Sequence, residues 1–413
     1  MKTRRLTADA IVLGAGPAGM AAVRLLLESK VSVIWIDNQA RPGGQIWRGG
    51  PQTASGAALL RRIDAGTGLT KLHGHELIAA DGTQSLLLHD GQGQRVEVSA
   101  PKLLLATGAS ERHLPLPGWT LPGVHGAGGL QALVKGGWPI AGQQVLLAGS
   151  GPLLLASAAT LQAAGARLQL IAEQAALAAL IRFTLQLPLR QAVQAAALRL
   201  QLRATPYRSG CWPVRVLGRD RVQAVLLTDG QREWEQPCEA LGLGFGLRPN
   251  TEAAELLGCR IEAGAVAVDD QLQTTQQGIY AAGECTGIGG VGKALIEGEM
   301  AAASLLGQDL APLRSRHRTA QKFAKRLAAA FTLRPELFKL ADAQTLICRC
   351  EDVSLGSLKP HPDWREAKLQ TRCGMGACQG RICGPISTEL LGWQARGLRE
   401  PLSPAPVSCW LPD

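Results

Sequence analysis

Five of the chain's ten cysteines fall between Cys348 and Cys383. The run opens as Cys348-Arg349-Cys350 and resumes as Cys373-Gly374-Met375-Gly376-Ala377-Cys378-Gln379-Gly380-Arg381-Ile382-Cys383. Thiolates gathered at such spacings bind a soft metal: four of them hold a [2Fe-2S] cluster or, as the rival reading, a structural zinc ion. A C-x-C half and a C-x-x-x-x-C half can each present two sulfurs from one loop. Cys373 precedes Cys378 by the same interval that separates Cys378 from Cys383, so spacing alone admits it too. Cys211, Cys238, Cys259, Cys285 and Cys409 stand apart and read as ordinary core or surface residues.

A second set of residues, near the start, carries phosphate chemistry. Gly14, Gly16 and Gly19 have the G-x-G-x-x-G spacing, with Pro17 and Ala18 opening the helix between them. The first glycine allows a tight turn, the second lets a pyrophosphate approach the backbone, and the third lets helix and strand pack closely. The helix then points its positive end at the phosphates. About 20 residues on, Asp37, followed by Asn38, can accept the hydroxyl protons of an adenosine ribose. Pro42-Gly43-Gly44-Gln45 offers backbone that can pass close to a flat ring, and Ala106-Thr107-Gly108 is a small-residue turn. In Gly283-Glu284 the acid can hold a ribityl hydroxyl, and the glycine-rich helix start around Gly290 then faces the flavin end of such a cofactor.

The elements that must position these residues follow from the pattern. Residues 10–13 form a buried strand, 17–29 a helix and 31–36 a second strand. A second unit of the same kind has its strand at 145–148, its turn at Gly149-Ser150-Gly151-Pro152, its helix at 153–164 and a strand at 167–172 that ends at Glu173. Leu154 stands where the third glycine belongs and should push the helix away from the strand or the phosphates. Residues 174–204 read as helical, 214–227 as a hairpin and 293–306 as a helix. Residues 310–340 are strongly basic, read as a solvated linker helix in preference to a docking surface. The tail, with Pro401, Pro404, Pro406 and Pro412, should be extended.

The whole chain sets bounds on these readings. Its 413 residues, 46% hydrophobic and 18% charged, describe a globular α/β protein of several domains. The net charge of +10 serves solubility or an acidic partner surface, and no aromatic-plus-basic motif for nucleic acid accompanies it. No apolar run reaches the roughly 18 residues of a membrane span. The N-terminal residues lead straight into the first strand, and cysteine usage argues against a disulfide framework, so a cytoplasmic location is expected.

The first glycine loop, Pro42–Gln45, Ala106–Gly108 and Gly283-Glu284 together resemble the two-dinucleotide-domain flavoproteins, thioredoxin-reductase-like in plan. The resemblance implies FAD and two Rossmann-like domains, one inserted in the other. It departs at Glu284, where the family usually has Asp, and in lacking a C-x-x-C pair in the middle domain, which disfavours a dithiol reductase. The cysteine segment resembles bacterioferritin-associated-ferredoxin-like [2Fe-2S] domains. That form maps the ligands onto Cys348, Cys350, Cys378 and Cys383, leaving Cys373 as a spare.

The order of these parts, with Ala109–Arg112, Leu116–Trp119 and Leu121–Val124, is similar to the α subunits of hetero-oligomeric amino-acid and opine oxidases or dehydrogenases. That group takes in octopine and nopaline oxidase, D-hydroxyproline dehydrogenase and hydrogen cyanide synthase. The resemblance implies an electron-transferring subunit beside a D-amino-acid-oxidase-like β subunit that oxidises the amine carbon, and a downstream electron acceptor. It leaves room for an FMN at a subunit interface, and the middle domain leaves room for an adenine nucleotide. The expected domains are 1–115 and 251–310 for FAD, 116–250 for the middle domain, 311–345 for the linker, 346–400 for the cluster and 401–413 for the tail. Two other functions stay open: a self-sufficient NAD(P)H-dependent acceptor reductase, and a non-catalytic scaffold subunit.

Overall fold

The computed structural model describes residues 3–48, 53–82, 84–394 and 398–410. The chain folds into two compact units, each assembled from separated stretches: 1–110, 247–325 and 397–413 in one, 111–246 and 326–396 in the other.

The first unit is built on a five-stranded parallel sheet. Its strand order is Ile279–Ala281, Lys102–Leu105, Ala10–Leu13, Val33–Asp37, Leu69–His73. The central strand, Ala10–Leu13, is buried throughout, as its short apolar run demands. The helix Pro17–Glu28 covers one face with Met20, Val23 and Leu26. It lies against the helix Gly290–Leu305, where a Cβ on Gly298 would stand 2.1 Å from the Ala18 carbonyl oxygen. Only glycine permits that approach, which holds the middle of this helix against the first turn of the other. A four-stranded sheet, Arg4–Thr7, Arg95–Ser99, Ser85–Asp90 and His75–Asp81, completes the core on the other face.

The second unit repeats the plan. Its parallel sheet runs Val124–Gly126, Ala240–Gly244, Gln144–Gly149, Arg167–Glu173, Tyr207–Ser209. An antiparallel sheet of Trp212–Leu217, Ala224–Thr228 and Glu233–Pro237 contains the expected hairpin. Leu154 finds room where a clash was expected. It is fully buried, and Gly244 on the neighbouring strand, with no side chain, leaves the space its δ-methyl fills. The cysteine segment shares this unit's core: Ile347, Leu355, Leu358 and Ile386 are buried in one apolar cluster with Trp119, Trp212 and Val216. Trp119 Nε1 donates to the Leu346 carbonyl at 2.8 Å.

The basic stretch forms the helix Ala311–Ala330 with no buried residue. The tail is irregular to Pro406 and then makes one 3₁₀ turn, Val407–Trp410, because the Cys409 amide returns to the Pro406 carbonyl and the side chain is buried. Pro412 lies outside the described residues.

Candidate functional site

The glycines of the first loop divide by what surrounds them. A Cβ on Gly14 (φ +115°) would stand 2.2 Å from the Ala106 carbonyl oxygen, and one on Gly19 would stand 1.9 Å from the Gly14 oxygen. The protein's own packing requires both. Gly16 has only the Gly44 Cα, at 4.0 Å, and Gly108 and Gly290 face open space. The helix that starts at Pro17 has no side-chain cap and no acid in its first turn, so its leading amides are directed at that space. Gly44 (φ +58°) closes over Gly16, where its own Cβ would stand 2.9 Å from the Gly16 Cα. Gly43, bound through its amide to the Ala15 carbonyl at 2.7 Å, holds this lid in place.

Asp37, at the end of its strand, accepts from the Ala15 and Gln39 amides. Burial raises its pKa from the usual carboxylate value against those two bonds. It remains half-buried, Asn38 and Gln45 are exposed, and Gln45 Oε1 is held by Arg48. The Ala106–Gly108 turn is tied by Asn250, a residue the sequence reading missed: the Thr107 hydroxyl donates to its carbonyl and its amide group returns to the Thr107 carbonyl.

At the other end, Glu284 Oε1 accepts from the Gly289 and Gly290 amides at 3.1 and 2.8 Å, and no described residue binds Oε2. Burial raises the pKa of this carboxyl too. Gly283 (φ +89°) lies against Ala18, which brings the acid to the edge that carries the first glycine loop. Beneath it is a buried ionic cluster absent from the sequence reading. Lys293 Nζ donates to the Gly283 carbonyl, the Thr286 hydroxyl and Glu297 Oε2 at 2.7–2.8 Å. His317 meets Glu297 Oε1 at 2.9 Å. The lysine–glutamate spacing of four was visible on one helix, but nothing local pointed to the histidine.

This cradle fits FAD. Open glycines and free helix amides suit the pyrophosphate, Asp37 the ribose, and the unpartnered oxygen of Glu284 a ribityl hydroxyl.

The corresponding turn of the second unit differs. Gly149 is locked as Gly14 is, with its Cβ position 1.9 Å from the Gly244 oxygen, and Gly151 faces open space. The acid end, however, is sealed. Glu173 accepts from the Gly151 and Ala175 amides as Asp37 does from Ala15 and Gln39, but it is only 1% exposed where Asp37 is half-buried. The buried Gln174 donates to the Ser150 hydroxyl and the Thr332 carbonyl, and accepts from the Arg334 amide. Arg334 Nε donates to the Gln174 carbonyl, and its guanidinium lies 4.7 Å over the Trp212 ring. Residues 331–334 thus form a strap across the end of this turn, bonded to Ser150 and Gln174.

The five clustered cysteines converge. The sulfurs of Cys348, Cys373 and Cys383 lie within 4.8 Å of one another and are buried. Cys350 is exposed and is hydrogen-bonded to the half-buried Cys378, which lies near enough to Cys383 for its charge to act on that thiol. Cys373, expected to be a spare, thus belongs to the tight inner group, while Cys350 lies at the rim. Gly374 and Gly380 (φ +81° each) turn the loop around the Trp364 ring, and a Cβ on Gly376 would stand 2.3 Å from that of Cys350. This donor set suits a thiolate-bound metal or cluster. The remaining five cysteines are all buried, and burial pushes the Cys211 thiol up to about 11 and that of Cys238 to about 12. These are unreactive core thiols.

Among the described residues no helix is long and apolar enough to cross a membrane. The pyridine nucleotide-disulphide oxidoreductase family matches residues 8–304. An opine oxidase subunit from Rhizobium meliloti (strain 1021) is 36% identical, over 92% of each chain. The hydrogen cyanide synthase subunit HcnB of Pseudomonas aeruginosa is 32% identical, over 97% of each. Among solved structures, L-proline dehydrogenase from P. horikoshii is similar in fold, with a TM-score of 0.71 and 19% identity over all of this chain and 81% of that one. Thioredoxin reductase from T. acidophilum follows the same plan, with a TM-score of 0.57 and 19% identity over 73% of this chain and 98% of that one. With the open cradle, the repeated dinucleotide fold and the converging cysteines in view, the chain belongs to the pyridine nucleotide-disulphide oxidoreductase family of flavoproteins, among the opine oxidase and hydrogen cyanide synthase subunits.

Proposed function

We propose that the chain is the electron-transferring subunit of a flavoprotein dehydrogenase or oxidase. In this reading it holds non-covalent FAD and a [2Fe-2S] cluster, and a D-amino-acid-oxidase-like β subunit oxidises an amino acid or N-substituted amino acid such as D-hydroxyproline or an opine. The observation that carries the reading is the contrast between the two nucleotide turns. The first is open to a dinucleotide, while the second is strapped across its end by residues 331–334. A chain of this kind receives its electrons from elsewhere than NAD(P)H, and no acid/base pair for a substrate of its own stands out among the described residues of its site.

When bound, FAD exchanges electron pairs and the cluster passes single electrons. The chain's residues do the holding. Gly14, Gly16, Pro17, Ala18 and Gly19 receive the pyrophosphate, and Asp37 and Asn38 the ribose. Gly44, Gln45, Ala106, Thr107 and Gly108 flank the cofactor, and Gly283, Glu284 and Gly290 take its ribityl and ring end. Lys293 fixes the Gly283 carbonyl and so the loop on which Glu284 stands. Cys348, Cys350, Cys378 and Cys383 are the proposed cluster ligands, with a downstream acceptor beyond them, in the cytoplasm.

The test is anaerobic mixing of the purified chain with NADH and NADPH. The flavin should stay oxidised with both and bleach with dithionite. Rapid bleaching by either nicotinamide would replace this reading with a self-sufficient reductase.

A further inference from the structure

The second unit contains a small pocket, about 30 Å³, that no step of the proposed electron transfer uses. Its lining includes Arg112, His113, Trp119, His125, Phe245 and Arg349. Two arginines reach it. Arg112 is satisfied: its Nε donates to Glu389 Oε1 at 2.7 Å and its guanidinium lies 5.7 Å from the Phe338 ring centroid. Arg349 is exposed, lies 5.5 Å over the Trp119 ring and has no ion pair among the described residues.

His113 and His125 approach from two different segments, one before the Val124–Gly126 strand and one within it. Burial and then the charge of Arg349 lower the pKa of both, so each ring is neutral near pH 7 and keeps one N–H to donate. Neither ring has a hydrogen-bond partner among the described residues. Both rings are half-buried, so their N–H groups are left to solvent or to whatever enters the pocket. Water serves these groups in the empty pocket, and an oxyanion that replaced it would gain the Arg349 charge beside two directed donors. Apolar walls from Trp119 and Phe245, both nearly fully buried, strengthen any charge-assisted bond formed inside.

We propose that this pocket binds the terminal oxyanion of a ligand or partner segment, a carboxylate or a phosphate monoester. Arg349 supplies the charge and His113 and His125 supply directed donors. A pocket this small takes one such group, and the rest of the ligand lies outside. Arg349 sits between Cys348 and Cys350, and the bound group is therefore delivered beside the cysteine loop. The proposal does not rest on the electron-transfer reading: neither flavin nor iron takes part in the binding, and its test reads neither.

Calorimetric titration of the full chain with inorganic phosphate and, separately, with acetate, at constant ionic strength, decides it. Saturable binding of at least one anion in the millimolar range is expected, and the tighter of the two identifies the source. Arg349→Gln should weaken it about ten- to a hundredfold, the worth of one charged hydrogen bond. Arg349→Lys should recover part of the loss, and the exposed control Arg219→Gln should leave binding unchanged. His113→Phe, away from the cysteines, should weaken binding with iron content unaltered, which guards against an indirect effect of the Arg349 change. Absence of saturable binding by both anions, or binding that survives both Arg349→Gln and His113→Phe, overturns the proposal.

Discussion

Neighbouring glycines in one loop should respond to substitution in opposite ways. Gly16 has room for a side chain within the protein, and Gly19 has none. Gly16→Val should give a folded chain without yellow colour, because the side chain takes the pyrophosphate's place. Gly19→Val should fail earlier, losing thermal stability even without cofactor, because its Cβ runs into the Gly14 carbonyl. Near-UV circular dichroism and flavin content separate the two outcomes; stoichiometric flavin in Gly16→Val would defeat the assignment of the cradle. The cysteines pose a similar question. On the proposed ligand set, Cys383→Ser loses iron and Cys373→Ser keeps it. The inner position of Cys373 makes this a sharp test by iron analysis and the electron spin signal of the reduced chain. Loss of iron in Cys373→Ser with retention in Cys350→Ser would move the ligand set inward.

Two helices of the first unit are joined where Glu297 meets Lys293 on its own helix and His317 on the next. Burial pushes the Glu297 carboxyl up, but the His317 bond and the Lys293 ammonium outweigh it, and its folded pKa lies below the ordinary carboxylate range. A depressed acid stabilises the fold fully above its unfolded pKa, and the contribution fades as the pH falls through the folded value. The acid limb of thermal stability should therefore flatten in Glu297→Gln. That variant should also lose about 3–5 kcal/mol near pH 7, since it strands the lysine in the core. Lys293→Met with Glu297→Leu should recover most of it. An unchanged acid limb in Glu297→Gln would show that titration of this carboxyl contributes no pH-dependent stability. The sequence made the sheets and helices of both units legible because strand, glycine turn, helix, strand and acid follow one another locally. His317 and Asn250 were not legible. Their partners lie 20 and 143 residues away, and no local spacing encodes such a pairing.

On the scale of the whole chain, the order of parts was readable and their grouping was not. The strap shows why: Gln174 and Arg334 meet across 160 residues, and the second turn looks like a weakened nucleotide site until that contact is seen. The cysteine segment likewise read as a separate small domain, yet Ile347, Leu355 and Ile386 are buried in one cluster with Trp119 and Trp212, so its folding is tied to the second unit's core. Metal removal should expose that link. A bound metal or cluster stabilises the fold that binds it and not the unfolded chain. Stripping iron with dithionite and a chelator should therefore lower the melting of the second unit, while the FAD cradle lies in a stretch with cores of its own. Calorimetry should resolve a transition that moves down with iron loss and another that does not, and the iron-free chain should keep its flavin through gel filtration. If flavin leaves with the iron, or the whole melting profile shifts together, the two units do not hold their cofactors independently.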